Sequence, residues 1–342
     1  MVFISSLILS LVLIYLQNKK GFGRDLEIGV QKFHQGNIAR TGGLAIFISF
    51  FFFDFISGQL FFKSMYLPVL FLVIFSSLED FGYFLKPLIR LLFLILFSTM
   101  IVTSSNLGIY DLNFWFFDDL LENSFVNIAF TSITIALVMN AVNVIDGFNG
   151  LVAGFISIIL ISIMFIANSI GDKVIYDTSL LMLAAILGFF CLNFPFGKIF
   201  LGDAGAYLIG SLISFLLIKF VSNNSEISPW LALSLLIYPV FEIVFSIVRK
   251  KYFFNSRAFY PDEYHLHMLV HKNLLNCKLF QDKKHFCNSF TSIFIWLLSL
   301  TTVIPSVIWY SEPSYLFLVS IAFMLIYLFF YIMLFRLEKR TK

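Results

Sequence analysis

Long apolar runs separated by short polar segments make up almost the whole chain, and the repeat is on the scale of helices. Predominantly apolar stretches fall near 2–17, 41–57, 66–78, 87–104, 125–142, 150–168, 178–194, 205–221, 229–248, 291–310 and 314–335. Each is long enough, or nearly so, to cross about 30 Å of hydrocarbon. None shows the apolar-polar alternation of a membrane β-barrel strand. In lipid an open sheet would leave backbone groups unpaired, so the runs predict helices. The fold class that follows is all-α: a polytopic membrane protein with about eleven transmembrane helices, residues 1–342 forming a single integral-membrane domain. The first run lacks a basic leader and an A-x-A-like cleavage site, which predicts a retained helix.

Composition supports this reading. Hydrophobic residues make up 60% of the 342 positions, 46 of them Phe, and charged residues only 13%. A mean hydropathy of +0.93 excludes an ordinary soluble domain. Cys191, Cys277 and Cys287 contain no CxxC pair and give no disulfide framework.

Charge then orients the helices. With eleven spans the connecting segments alternate sides, and 20 of the 23 Lys and Arg residues fall on one set of loops and span ends. The other set has only Lys63, Lys173 and Lys219, beside carboxylates such as Asp111, Asp118 and Asp119. The positive-inside rule places the first set in the cytoplasm, with the N-terminus outside and the C-terminus inside.

The unusual polar strings share that basic side. They are "KFHQGNIARTGG", "LEDFGYFLKPLIR", "NAVNVIDGFNG", "NFPFGKIFLGDAGAYLIG" and, in a long loop of about 249–290, "RKKYFFNSRAFYPDEYHLHMLVHK". Carboxylates gathered at a membrane edge suit a hard cation such as Mg²⁺, which keeps coordination sites for substrate phosphates. Basic groups nearby, Arg40 and Lys86 among them, suit the phosphates themselves. The inventory is that of phosphoryl transfer.

Individual residues carry two readings. Asp203, at the head of a span, reads as a helix N-cap and as a metal ligand, and the roles can coexist. Asn140, Asn143 and Asp146 step by three and share one face of a helix end, where Asn143, Asn149 and Asn193 offer amides to a base, a sugar or a phosphate. The same Asp-Gly and Asn-Gly pairs also make an ordinary turn. Glu79 and Asp80 are adjacent carboxylates that repel unless a cation or proton intervenes. His265 and His267 read as phosphate donors or acid-base groups, since the His and Cys spacing matches no common zinc site.

Six strings in order, "HQGNIARTGG", "LED", "NxxNxxDGxxGL", "FLGDAGAYLIG", "YPVFEIVFSIVRKK" and "PDEYHLH", resemble the polyprenyl-phosphate N-acetylhexosamine-1-phosphate transferases, membrane glycosyltransferase family 4. The likeness covers about residues 30–272, and the H-x-H form is closer to the O-antigen initiators of the family. It implies transfer of sugar 1-phosphate from a UDP-N-acetylhexosamine to undecaprenyl phosphate at the bacterial inner membrane, with Mg²⁺, or Mn²⁺ in its place. It further implies Asp203 and Asp146 near the metal, Glu79 and Asp80 near the lipid phosphate, Asn143 near the nucleotide, and His265 and His267 at the sugar-phosphate end. Glu79 stands where the family commonly has aspartate, Asn149 where many members have a second aspartate, and Met268 where some have another histidine. Membrane lipid is an expected partner and nucleic acid is not; a homodimer stays open. The alternative is a transporter or flippase of lipid-linked sugars, which would set ionisable groups near mid-membrane and show two related halves.

Overall fold

The computed structural model describes residues 1–20, 24–25, 38–58, 60–82, 85–252, 262–277, 280 and 286–341. Residues 32–37 of the first polar string, 83–84 of the second and 253–261 of the fifth, with His285, lie outside the described residues.

Helices carry the fold. In order they are α1 (Val2–Lys20), α2 (Gly42–Ser57), α3 (Tyr66–Asp80), α4 (Pro87–Ser105), α5 (Trp115–Leu121), α6 (Ser124–Ile145), α7 (Leu151–Ile170), α8 (Lys173–Asn193), α9 (Gly202–Asn223), α10 (Trp230–Leu235), α11 (Ile237–Tyr252), α12 (Leu266–Asn276), α13 (Cys287–Ile308) and α14 (Pro313–Thr341). Each predicted run falls on a helix. Among the described residues, eight helices are long and apolar enough to cross a membrane: α1, α4, α6, α7, α8, α9, α13 and α14. The other three runs fall on shorter helices. α2 has 16 residues and α3 has 15, about 24 Å and 22 Å at 1.5 Å per residue. The run at 229–248 breaks at Leu236 into α10 and α11.

Local chemistry sets the helix ends. Pro87 opens α4, where a missing N–H costs nothing. The Asn123 side chain accepts from Phe125 N–H to cap α6, and Asp172 accepts from Ile175 N–H to cap α8. Gly150 precedes α7 at φ 76°, and a Cβ there would meet the Phe194 ring at 2.7 Å. Only glycine fits both the backbone and the ring.

α9 is the centre of the bundle: 89% of its spanning window is buried. It packs against α2, α3 and α6, and three of its first four residues are Gly202, Ala204 and Gly205. Small side chains let helix backbones approach closely, which drives association inside a membrane. A Cβ on Gly43 would lie 2.3 Å from the Gly205 Cα.

The segment before α2 is tied to the segment before α9. Phe200 N–H donates to Ala39 O at 2.7 Å, Gly42 N–H to Phe200 O at 2.9 Å and Gly43 N–H to Leu201 O at 2.9 Å. Ala39 also pairs with Ile199 as a parallel bridge. These bonds bring Arg40 to the head of α9.

Candidate active site

At that head, Asp80, the last residue of α3, accepts from Asp203 N–H at 2.8 Å and from Ala204 N–H at 3.1 Å. The free N–H groups of α9 are thus satisfied by a carboxylate from another helix, whose charge also suits the helix dipole. Gly202, at φ 77°, permits the approach: a Cβ there would stand 2.8 Å from both Asp80 carboxylate oxygens.

Asp203 itself turns outward. Its Oδ1 accepts from the Asn143 amide at 2.6 Å and its Oδ2 from the Arg40 guanidinium at 3.3 Å. Arg40 Nε lies 3.4 Å from Asp80 Oδ1, so one cation joins two carboxylates. The Asp80 side chain is 3% exposed and that of Asp203 19%, which separates their roles: the first supports, the second faces the opening. Glu79 is buried next to Asp80 and accepts from Leu85 N–H at 3.4 Å. Lys86 is exposed just ahead of α4.

Asp146 follows the last residue of α6, one turn beyond Asn143, and its N–H donates to Asn143 O at 3.2 Å. Since Asn143 holds Asp203, the two aspartates named for a metal lie at the same end of the bundle. Gly147 beside Asp146 is open: a Cβ there meets nothing within 4 Å.

Two of the predicted amides hold backbone. Asn193 accepts from Gly150 N–H at 2.6 Å and donates to Ile199 O at 2.7 Å. Asn149 donates to Pro195 O at 3.0 Å, and its own N–H is received by Asn288 Oδ1 at 2.6 Å. Together they lock the α6–α7 turn to the loop that leads into α9.

The H-x-H pair occupies a second polar cluster on α11, α12 and α14. His265 Nδ1 lies 2.9 Å from Glu242 Oε1 and its Nε2 3.4 Å from Asp262 Oδ1. Glu242 is fully buried and also accepts from Tyr327 OH at 2.8 Å. Arg249 donates to Asp262 at 2.6 Å, to Tyr331 OH at 3.1 Å and to the Tyr264 carbonyl. His267 is fully buried, stacks on His265 with ring centroids 5.4 Å apart, and shares a 3.0 Å hydrogen bond with Tyr238. Burial pushes the His267 imidazole down to about 3 and the His271 imidazole to about 4, so both are neutral at physiological pH. Phe148, in the α6–α7 turn, packs on both rings at 5.7 Å and 5.0 Å. That contact links the histidine cluster to the Asp146 turn.

Glu242, Asp262, Arg249 and Tyr238 were not singled out by the sequence pattern, although the strings that contain them were. One signal could have found Glu242: an ionisable side chain inside an apolar run is costly in a membrane and marks function or a buried partner.

Fold and site together define an integral-membrane protein that gathers carboxylates, guanidinium and amides at one end of its helices, an arrangement suited to moving phosphoryl groups. A profile of glycosyl transferase family 4 matches residues 62–221, which include Asp80, Asn143, Asp146 and Asp203. The chain is 31% identical to a probable undecaprenyl-phosphate N-acetylglucosaminyl 1-phosphate transferase of Bacillus subtilis over 245 residues, 69% of this chain and 66% of that one. It is 26% identical to undecaprenyl-phosphate alpha-N-acetylglucosaminyl 1-phosphate transferases of Thermotoga maritima and Escherichia coli O157:H7, with 71% and 70% of this chain matched against 72% and 67% of theirs. The match thus spans about two thirds of these relatives' length. The chain belongs to the polyprenyl-phosphate N-acetylhexosamine-1-phosphate transferase family, glycosyl transferase family 4.

Proposed function

We propose that the protein transfers N-acetylhexosamine 1-phosphate from a UDP-sugar to undecaprenyl phosphate. An oxygen of the lipid phosphate attacks the sugar-bearing phosphorus of the donor, the bond from that phosphorus to the bridging oxygen breaks, and UMP leaves with that oxygen. One phosphoanhydride replaces another, so the barrier comes chiefly from bringing anions together.

The observation that carries this reading is Asp203 held between Asn143 and Arg40 at the head of α9. Hard oxygen donors of this kind fit Mg²⁺, which commonly takes one or two protein carboxylates and completes its shell with water and substrate phosphates. Among the described residues no three His, Cys, Asp or Glu side chains converge as a ready cage, and a substrate-completed ion needs none. Asp203 and Asp146 would hold it, and it would supply neutralisation of phosphate charge. Arg40 adds a fixed cation beside the same carboxylates, and Asp80 holds α9 in place. Both Asp80 oxygens accept backbone N–H groups, which favours direct attack by the lipid phosphate over an aspartyl-phosphate at that position. The basic bias of the loops supports a bacterial inner-membrane protein with this end in the cytoplasm.

The test is incubation of the protein with undecaprenyl phosphate, Mg²⁺ and a panel of radiolabelled UDP-sugars. Label should enter the lipid phase, and Asp203→Asn should lower the rate at least about a hundredfold, the scale of losing one preorganised charge contact. Full activity in that variant would refute the assignment. Exchange of labelled UMP into UDP-sugar without lipid would replace direct attack by a covalent intermediate.

A further inference from the structure

Glu242, on α11, is fully buried at the middle of the second polar cluster, and three donors converge on it. Its Oε1 lies 2.9 Å from His265 Nδ1, and its Oε2 accepts from the Tyr327 hydroxyl of α14 at 2.8 Å. The first N–H of α12, that of Leu266, is shared between Oε1 at 3.4 Å and Oε2 at 3.3 Å. Three donors on two oxygens suit an ionised carboxylate.

Capping α12 does not by itself call for a buried charge. His265 stands at the N-cap position and makes no side-chain bond to its own helix. Serine or asparagine there would cap it, without the cost of taking a carboxylate out of water. The carboxylate is matched to the imidazole instead. An ionised carboxylate only accepts, so the proton between the two sits on Nδ1. Nε2 is then the ring atom that faces the other way, 3.4 Å from Asp262 Oδ1. Exposure rises in that direction, from 0% for the Glu242 side chain through 6% for His265 to 18% for Asp262.

Both ends of this chain of contacts are braced. His267 lies parallel to the His265 ring, 1° apart in plane, and Phe148 of the α6–α7 turn packs on His267. Phe241 and Phe245 meet the Tyr327 ring edge-on at 5.0 Å and 5.5 Å, which holds its hydroxyl on Glu242. We propose that Glu242 and Tyr327 are positioning residues: they keep the proton of His265 on Nδ1, so that Nε2 is the nitrogen His265 offers to the reaction. This rests on the transfer proposed above and on a part for His265 in it. It also brings into the site α14, a helix that neither the motif strings nor the family match over residues 62–221 reaches.

The test uses the full-length protein in detergent. Glu242→Gln keeps the shape and one acceptor but no charge, and should lower kcat about ten- to a hundredfold, the scale for partners that orient a ligand histidine. The KM for either substrate should stay within about twofold of wild type. Tyr327→Phe keeps the ring contacts and should lower kcat by less; it carries the test if Glu242→Gln does not fold. In a His265→Asn background neither change should lower kcat further, because the residue they act through is gone. Nitrogen NMR of protein carrying isotope-labelled histidine, with His265 assigned by its loss in His265→Asn, should show a protonated Nδ1 at every pH at which the protein stays folded. A bare Nδ1 in wild type would overturn the proposal, as would wild-type kcat in both variants or an equal loss with and without His265. Should the wild type transfer no sugar, the proposed reaction is refuted, and the ring-nitrogen spectrum still decides the orientation of His265.

Discussion

Arg40 stands between two carboxylates that would otherwise repel each other across the head of α9. Its Nε faces Asp80 and a terminal nitrogen faces Asp203, a planar fork that a lysine ammonium cannot reproduce. Arg40→Lys should therefore fold and insert normally yet lose roughly ten- to a hundredfold in turnover, the range of a displaced preorganised cation. Steady-state kinetics would check this, and wild-type kcat in the variant would show that the bridge is ornamental. Asp203 could be named from the sequence by its place at a span start. That Asp80 holds the helix behind it could not, because 123 residues separate the two in the chain.

At the scale of elements, two junctions decide whether the site forms. The first is the crossing of α2 and α9. Glycine to alanine within a helix usually stabilises by cutting unfolded-state freedom, but at Gly43 the added Cβ would lie 2.3 Å from the Gly205 Cα. The sign reverses: Gly43→Ala should destabilise by about 1–3 kcal/mol, as overpacking does, and lower activity because Arg40 is three residues away. Gly147→Ala, where a Cβ meets nothing, should unfold at the wild-type midpoint. Thermal unfolding of both variants in detergent separates the two cases, and equal midpoints would contradict the close crossing.

The second junction is the docking of α12. His267 and His271 are neutral in the fold down to about 3 and about 4, because burial disfavours their charged forms. Once released, each would take up a proton below its ordinary value of 6.5. The unfolded chain then binds more protons than the folded one between about pH 4 and 6.5, so stability rises with pH across that window and is flat above it. Thermal midpoints should fall between pH 7 and pH 5, and the double variant His267→Asn, His271→Asn should lose most of that slope. A slope equal to wild type would assign the effect to other groups.

For the whole molecule, the decisive quantity is which face carries the site. The α3–α4 and α6–α7 turns, the loop into α9, and α12 should all lie on the cytoplasmic side, as the Lys and Arg bias requires. Single cysteines placed at Lys86 and at exposed Asp119 should label from opposite sides of sealed vesicles. Labelling from the same side would invert or break the proposed topology.

The sequence by itself determined that the chain is a membrane helical bundle, because hydropathy over some 20 residues is a local property and lipid allows backbone no other open form. It also set the polar strings apart, since charges, amides and glycines at span ends stand out against phenylalanine and leucine. Hydropathy runs located α2 and α3 to within two residues at each end and missed the break at Leu236. Tertiary structure alone decided the pairings: Arg40 with Asp80 and Asp203, Asn143 with Asp203, and Glu242 with His265. These are contacts between segments far apart in the chain, set by helix crossings at small residues and by the bonds joining residues 39–43 to 199–201. A one-dimensional pattern has no term for such crossings, and for that reason Asn149 and Asn193, read as ligand amides, turned out to bond backbone.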